Sequence, residues 1–309
     1  MVEQLRGAIE LGLLFSFMAL GVYITFRILD FPDLTVDGSY TTGGAIAAVM
    51  ITNGFSPWLA TLAAFGGGMA AGMCTGLLHT KGKINGLLSG ILMMIALYSI
   101  NLRIMGKPNV SLMGENSLFS SINPLLVMPF VVIFVKILMD LFLRTDLGLA
   151  LRATGDNARM IRSFGVNTDN TTILGISLAN GLVALSGALI AQYSTFADSS
   201  MGIGMIVIGL ASVIIGEAIF GTGSVFRATL AVVLGSIVYR IVVALALRVE
   251  WLKASDLKLI TAIIVIVALV FPSVQRFLKL KSTARKRTAE LSQQALNRKK
   301  GGAVDAEVR

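Results

Sequence analysis

The chain has 309 residues, of which 55% are hydrophobic and only 14% charged, about half the charged share of a soluble globular domain. With a mean hydropathy of +0.81 it cannot cover a soluble core with a charged surface, which excludes a soluble enzyme and a disordered chain alike. Its net charge of +9 is concentrated in residues 276–309, where ten basic residues face three acidic ones, and no basic face elsewhere points to nucleic acid.

About nine apolar runs have membrane-compatible length: 7–29, 39–52, 57–79, 84–101, 123–143, 171–193, 202–220, 228–247 and 257–271. The expected fold is an all-α polytopic membrane protein with eight to ten transmembrane helices. The second run is short, and reads as a short or broken helix. The first is no cleavable signal peptide, because Glu3, Arg6 and Glu10 interrupt its start. Basic residues assign sides. Lys81 and Lys83 in the third connection, Arg144, Arg152, Arg159 and Arg162 in the fifth, and the basic tail all belong in the cytoplasm. Residues 1–275 therefore read as one transmembrane domain with a cytoplasmic loop at 144–170, and 276–309 as a disordered cytoplasmic tail.

Within the second run, Asp37-Gly38-Ser39-Tyr40-Thr41-Thr42-Gly43-Gly44 has two readings. Asp37 can simply cap its own helix. Alternatively, a discontinuous helix offers free amides and the hydroxyls of Ser39, Thr41 and Thr42 to a substrate carboxylate. Gly68, Gly72 and Gly76 form a small-residue stripe for close internal packing. Glu10, Asp140, Glu217 and Arg240 are charges in or near apolar runs; each costs about 2.5–3.5 kcal/mol at a bilayer centre and must face protein or water. Lys136 and Asp140, four apart, can pair on one helix face, and Glu217 can pair with Arg240 or face the substrate pathway. Cys74 is an apolar filler, and one cysteine with one histidine (His79) leaves no metal centre and no expected cofactor.

Within the polar stretch 144–170 lies the arginine-bearing segment Leu149-Ala-Leu-Arg-Ala-Thr-Gly-Asp-Asn-Ala-Arg-Met-Ile-Arg-Ser-Phe-Gly165. Asp156 or Asn157 can cap a short helix over 158–163, and Gly165 can end it. Read from composition, it is an interfacial amphipathic loop held to lipid phosphates by arginine. There is no G-x-x-x-x-G-K-[ST] motif for ATP and no H-E-x-x-H motif for zinc, and the single histidine lies at a membrane edge, so the chain carries no enzyme site of a recognisable kind.

Arg152-Ala153-Thr154-Gly155-Asp156-Asn157 followed by Gly165-Val166-Asn167 resembles the coupling loop of ABC-importer permeases of the branched-chain amino acid/ribose permease family. The stretches Thr35-Val36-Asp37-Gly38-Ser39, Ile84-Asn85-Gly86-Leu87-Leu88, Tyr98 to Gly106 and Val213-Ile214-Ile215-Gly216-Glu217 resemble the same family, and its tryptophan/tyrosine-type subgroup in particular. The resemblance covers roughly residues 5–275. It implies a permease subunit that moves a small organic solute, an amino acid first among them, by alternating access in the inner membrane. It also implies three partners: an ABC-type ATPase, an extracytoplasmic substrate-binding protein and a second permease chain, most simply a homodimer. Arg152, Gly155, Asp156, Asn157, Arg159, Arg162 and Gly165 would meet the ATPase. The rival readings are a secondary transporter using Glu10 and Asp140 for ion coupling, and a scaffold whose basic tail recruits lipid or protein.

Overall fold

The computed structural model describes residues 2–120 and 124–246, with single helical positions at Leu259, Ala262, Ile263, Ile266 and Val270. The ninth apolar run is otherwise outside the described residues, as is the basic tail. The bundle and its sites lie within the unit Met1–Val265.

Among the described residues nine helices form in chain order: α1 (Val2–Val22), α2 (Thr35–Thr52), α3 (Pro57–Thr80), α4 (Gly86–Met105), α5 (Pro124–Arg144), α6 (Asp146–Ser163), α7 (Thr168–Ser194), α8 (Met205–Phe220) and α9 (Val225–Ala246). A π-helical turn, Tyr23–Ile28, prolongs α1. Among the described residues six helices are long and apolar enough to cross a membrane, α1 with its π turn, α3, α4, α5, α7 and α9. α8 is apolar but shorter. The expectation of an all-α chain needs one correction. Strand β1 (Asn109–Ser111) pairs antiparallel with β2 (Phe196–Asp198), tying the α4–α5 connection to the α7–α8 connection. Two extended loops left side by side satisfy their amides with each other.

The helix boundaries follow local chemistry. Ser56 accepts from the Leu59 amide with Pro57 at the first helical position of α3. Asn85 caps α4, and Gly106 closes it in the left-handed region. Asn167 accepts from the Asp169 and Asn170 amides to begin α7.

α7 is the central element, buried along most of its length and packed against α1, α2 and α3. Small residues make this possible. A Cβ on Gly43 would lie 1.9 Å from the Ala184 carbonyl oxygen, so α2 and α7 touch backbone to backbone. The stripe on α3 serves the same end: Gly68 and Gly72 abut Asn180 and Ile176, and Gly76 abuts Ile173, all of α7. Polar side chains lock these seams. Asn180 donates to Asp33 at 2.6 Å, Ser177 to the Met69 carbonyl at 2.7 Å, and Gln192 to Thr61 at 2.8 Å.

The second run is a continuous helix, not a broken one. It begins four residues earlier than hydropathy alone suggests, because Asp33 accepts from the Thr35 amide at 2.9 Å and so opens it. Burial pushes the Asp33 carboxyl up from its ordinary value, against the hydrogen bonds from Thr35 and Asn180. Asp37, expected as a cap for this helix, is therefore free for another role.

Candidate functional site

Two places gather the polar residues that the sequence singled out. The first is α6. Thr145 caps its start, and the helix runs to Asn157, where the backbone leaves helical geometry (φ −155°, ψ 88°). The Asn157 side chain accepts from the Met160 amide at 3.0 Å and restarts the helix, as a cap should. Gly165 ends it at φ +86°. The segment is thus two short helices joined at a kink.

Its inner face is anchored. Leu151 is fully buried, and Thr154 shares a 2.9 Å hydrogen bond with Thr171 of α7. A Cβ on Gly155 would fall 1.8 Å from the Ile28 carbonyl oxygen, so only glycine lets α6 press on the end of α1. Arg162 donates to Thr168 and pairs with Asp169 at 3.3 Å. Its outer face is open. Arg152, Asp156, Asn157, Arg159 and Arg162 are exposed, alongside Met160 at 49% and Phe164 at 74%. Lys81 comes within 3.9 Å of Asp169, which puts the α3–α4 connection at the same end of the bundle as α6.

The same end holds a polar groove between α1, α6 and the α8–α9 connection, lined by Arg27, Asp30, Arg152, Asp156, Glu217 and Ser224. Arg27 and Glu217 pair there at 3.0 Å. Glu217 therefore does not pair with Arg240, one of the two readings its position in the sequence left open. Arg27, carried on the π turn, claims the Glu217 carboxylate, and Arg240 lies instead over the Phe15 ring.

The second place is the joint between α2 and α8. Both oxygens of Asp37 accept backbone amides at 2.8 Å, from Gly204 and Ile206. Thr41 accepts from the Gly202 amide at 3.1 Å while donating to the Asp37 carbonyl, and Thr42 donates to the Gly38 carbonyl. The helix N-terminus and the carboxylate envisaged for a substrate are both present, but the helix is α8 and the carboxylate is Asp37 itself. Ser39 is buried with no hydrogen-bond partner. Glu217 is eleven residues after Ile206, about 16 Å along α8, so it groups with the α6 residues and not with Asp37, Thr41 and Thr42.

The remaining intramembrane charges are internally matched. Lys136 and Asp140 pair at 2.5 Å as expected, Thr229 of α9 donates to Asp140 at 2.7 Å, and the Lys136 ammonium sits over the Phe226 ring. Glu10 pairs with Arg6 at 3.2 Å and accepts from the Tyr193 hydroxyl at 2.9 Å. Sequence reasoning missed Asp33, Asn180 and Arg27. Their partners are far off in the chain, and spacing carries no signal for such pairs.

The family model for the branched-chain amino acid transport system permease component matches residues 6–270. A protein of Clostridioides difficile (strain R20291) named tyrosine transport system permease protein is 48% identical over 283 residues, 91% of this chain and 95% of that one. An uncharacterized protein of Rickettsia prowazekii (strain Madrid E) is 35% identical over 269 residues, 85% of this chain and 95% of that one. A solved structure described as an inward-facing ABC transporter of metal-chelate type aligns with a TM-score of 0.47 at 15% identity, covering 89% of this chain and 84% of that chain.

Proposed function

The chain belongs to the branched-chain amino acid transport system permease component family, and from that premise we propose that it is the translocating subunit of an ATP-driven importer for an amino acid, with tyrosine the first substrate to test. It is a multi-pass membrane protein and a transport subunit. In this reading ATP is hydrolysed on a partner ABC-type ATPase, an extracytoplasmic binding protein delivers the solute, and a second copy of the chain completes the pathway. The α6 end of the bundle faces the cytoplasm, as does the C-terminus.

The observation that carries the coupling role is the two-faced character of α6. Its inner face is wedged by Gly155 against α1 and bonded to α7, so a push on it moves membrane helices and not a loose loop. Its outer face offers Arg152, Asp156, Arg159 and Arg162 beside the exposed Met160 and Phe164, the mixture of cationic and apolar anchors that a protein groove takes up. In this reading Glu217, paired with Arg27, lies at the cytoplasmic end and bridges α1 and α8. Asp37 and Thr41 form the joint on which α8 is hung, and Ser39 and Thr42 on the same helix keep a role near the pathway.

The test is a mild-detergent purification of the tagged chain from its native membrane. A stoichiometric ATPase that is lost in the Asp156→Ala/Arg159→Ala variant supports the reading. A chain that purifies without any ATPase, or one that holds it equally well in the variant, overturns the coupling role.

A further inference from the structure

Arg240 of α9 has no described carboxylate beside it. Its guanidinium carbon lies 3.6 Å from the centroid of the Phe15 ring. Phe15 is the thirteenth residue of the 26-residue span Glu3–Ile28, so the charge sits level with the middle of a membrane-crossing helix. Its Nε is shielded from solvent and has no hydrogen-bond partner. The phenols of Tyr40 and Tyr239 lie within reach of its charge. Tyr40 stacks on the other neighbour of the cluster, with its ring 6.1 Å from Phe15 and nearly parallel, and its buried hydroxyl is also without a partner.

Such an arrangement is costly as a brace alone. A guanidinium at bilayer depth that meets only ring faces leaves most of its donors unpaired, and a phenol oxygen left bare in a buried site adds to that cost. The other intramembrane charges described above each have an opposite charge or a hydroxyl within hydrogen-bond reach. Arg240 and Tyr40 differ in lacking one among the described residues. Partly buried, Arg240 keeps an open side, and an open side at this depth has to meet water or an anion, since lipid tails would not tolerate it.

We propose that Arg240, backed by Phe15 and flanked by Tyr40, is a mid-membrane subsite for the carboxylate of the transported amino acid. The guanidinium fork supplies paired donors to a carboxylate, and the unpartnered Tyr40 hydroxyl supplies a further donor. The inference rests on the amino-acid reading above and names the residue that reads its charged end.

The experiment is uptake by native cells that lack this chain and are resupplied with wild type, Arg240→Gln or Arg240→Lys, using labelled L-tyrosine, labelled L-leucine and labelled ribose, with tyramine as the decarboxylated competitor. The melting temperature and oligomeric state of each purified variant are measured alongside. Expected is amino-acid uptake inhibited weakly by tyramine. Arg240→Gln should lower the apparent affinity about ten- to a hundredfold, the equivalent of one charge-assisted hydrogen-bonded pair, while Arg240→Lys restores part of it and folding is unchanged. Wild-type amino-acid uptake that Arg240→Gln leaves intact overturns this inference and spares the transport reading. A fall in uptake that only tracks a lower melting temperature, or a loss of dimer, assigns the guanidinium to packing or to a partner's carboxylate and overturns it as well. Uptake of ribose alone overturns the amino-acid reading together with the subsite, and no uptake dependent on the chain overturns transport itself.

Discussion

Removing the Asp37 carboxylate should unhook α8. Asp37→Ala takes away the acceptor for the Gly204 and Ile206 amides, both at 2.8 Å, at the first turn of α8. Two routes bound the cost. Hydrogen bonds to a charged group are worth about 1.5–3 kcal/mol each, which gives roughly 3–6 kcal/mol for the pair. Loss of a cap costs about 0.5–2 kcal/mol and loss of the charge–dipole term up to about 2 kcal/mol, roughly 2.5–4 kcal/mol together at the favourable end. Asp37 is only partly buried, so water can replace some of what is lost, and the overlap of the two routes near 3 kcal/mol is the expected value. At about 2–4 °C per kcal/mol for a domain of this size, the apparent melting midpoint in detergent should fall by roughly 6–12 °C. Asp37→Asn keeps one acceptor oxygen but turns an NH2 donor toward the second backbone amide, so it should still lose about 1.5–3 kcal/mol, close to half or more of the alanine effect. Hydrogen exchange read at Gly204 and Ile206 localises the effect, since those amides should lose protection first. An alanine variant that melts with wild type and keeps both amides protected would refute the claim that Asp37 holds the α8 terminus.

Gly43→Ala should prevent folding or lower the midpoint by far more than Gly66→Ala, because the first Cβ would meet the Ala184 carbonyl at 1.9 Å and the second meets nothing within 4 Å. Gly66→Ala should be neutral or stabilising by up to about 1 kcal/mol; equal yields and midpoints for the two variants would contradict the backbone contact of α2 with α7. Asp140→Ala strands a buried ammonium and should cost about 3–5 kcal/mol, somewhat less because the Phe226 ring remains, whereas Lys136→Met with Asp140→Leu should recover most of it. Thermal unfolding of the single and double variants checks this, and a single variant as stable as the double would contradict it. Asn157→Ala should cost about 0.5–2 kcal/mol at the restart of α6, with little change in global stability but weaker retention of the ATPase in the pull-down. Undiminished retention would show that the cap is dispensable for coupling.

The membrane class, the run of apolar helices and their ends were legible because they depend on composition and near-neighbour chemistry. Ser56-Pro57, Asn85, Asn157 and Gly165 each announce a helix boundary within three or four residues of themselves. The Gly68–Gly72–Gly76 stripe and the Lys136–Asp140 pair follow from helical spacing alone. What a charge pairs with across the bundle follows no spacing. Glu217 takes Arg27 and not Arg240 because the π turn swings Arg27 over the end of α8, and π turns leave no mark on hydropathy. Asp37 looked like the cap of its own helix and serves instead as the cap of α8, because Asp33 reached the Thr35 amide first. Composition and local chemistry thus mark the apolar helices, most of their ends and the residues too polar to meet lipid. The partners across the bundle came from packing: Asp33 meets Asn180, Asp37 meets the α8 amides and Glu217 meets Arg27 because helix contacts bring groups far apart in the chain within about 3 Å.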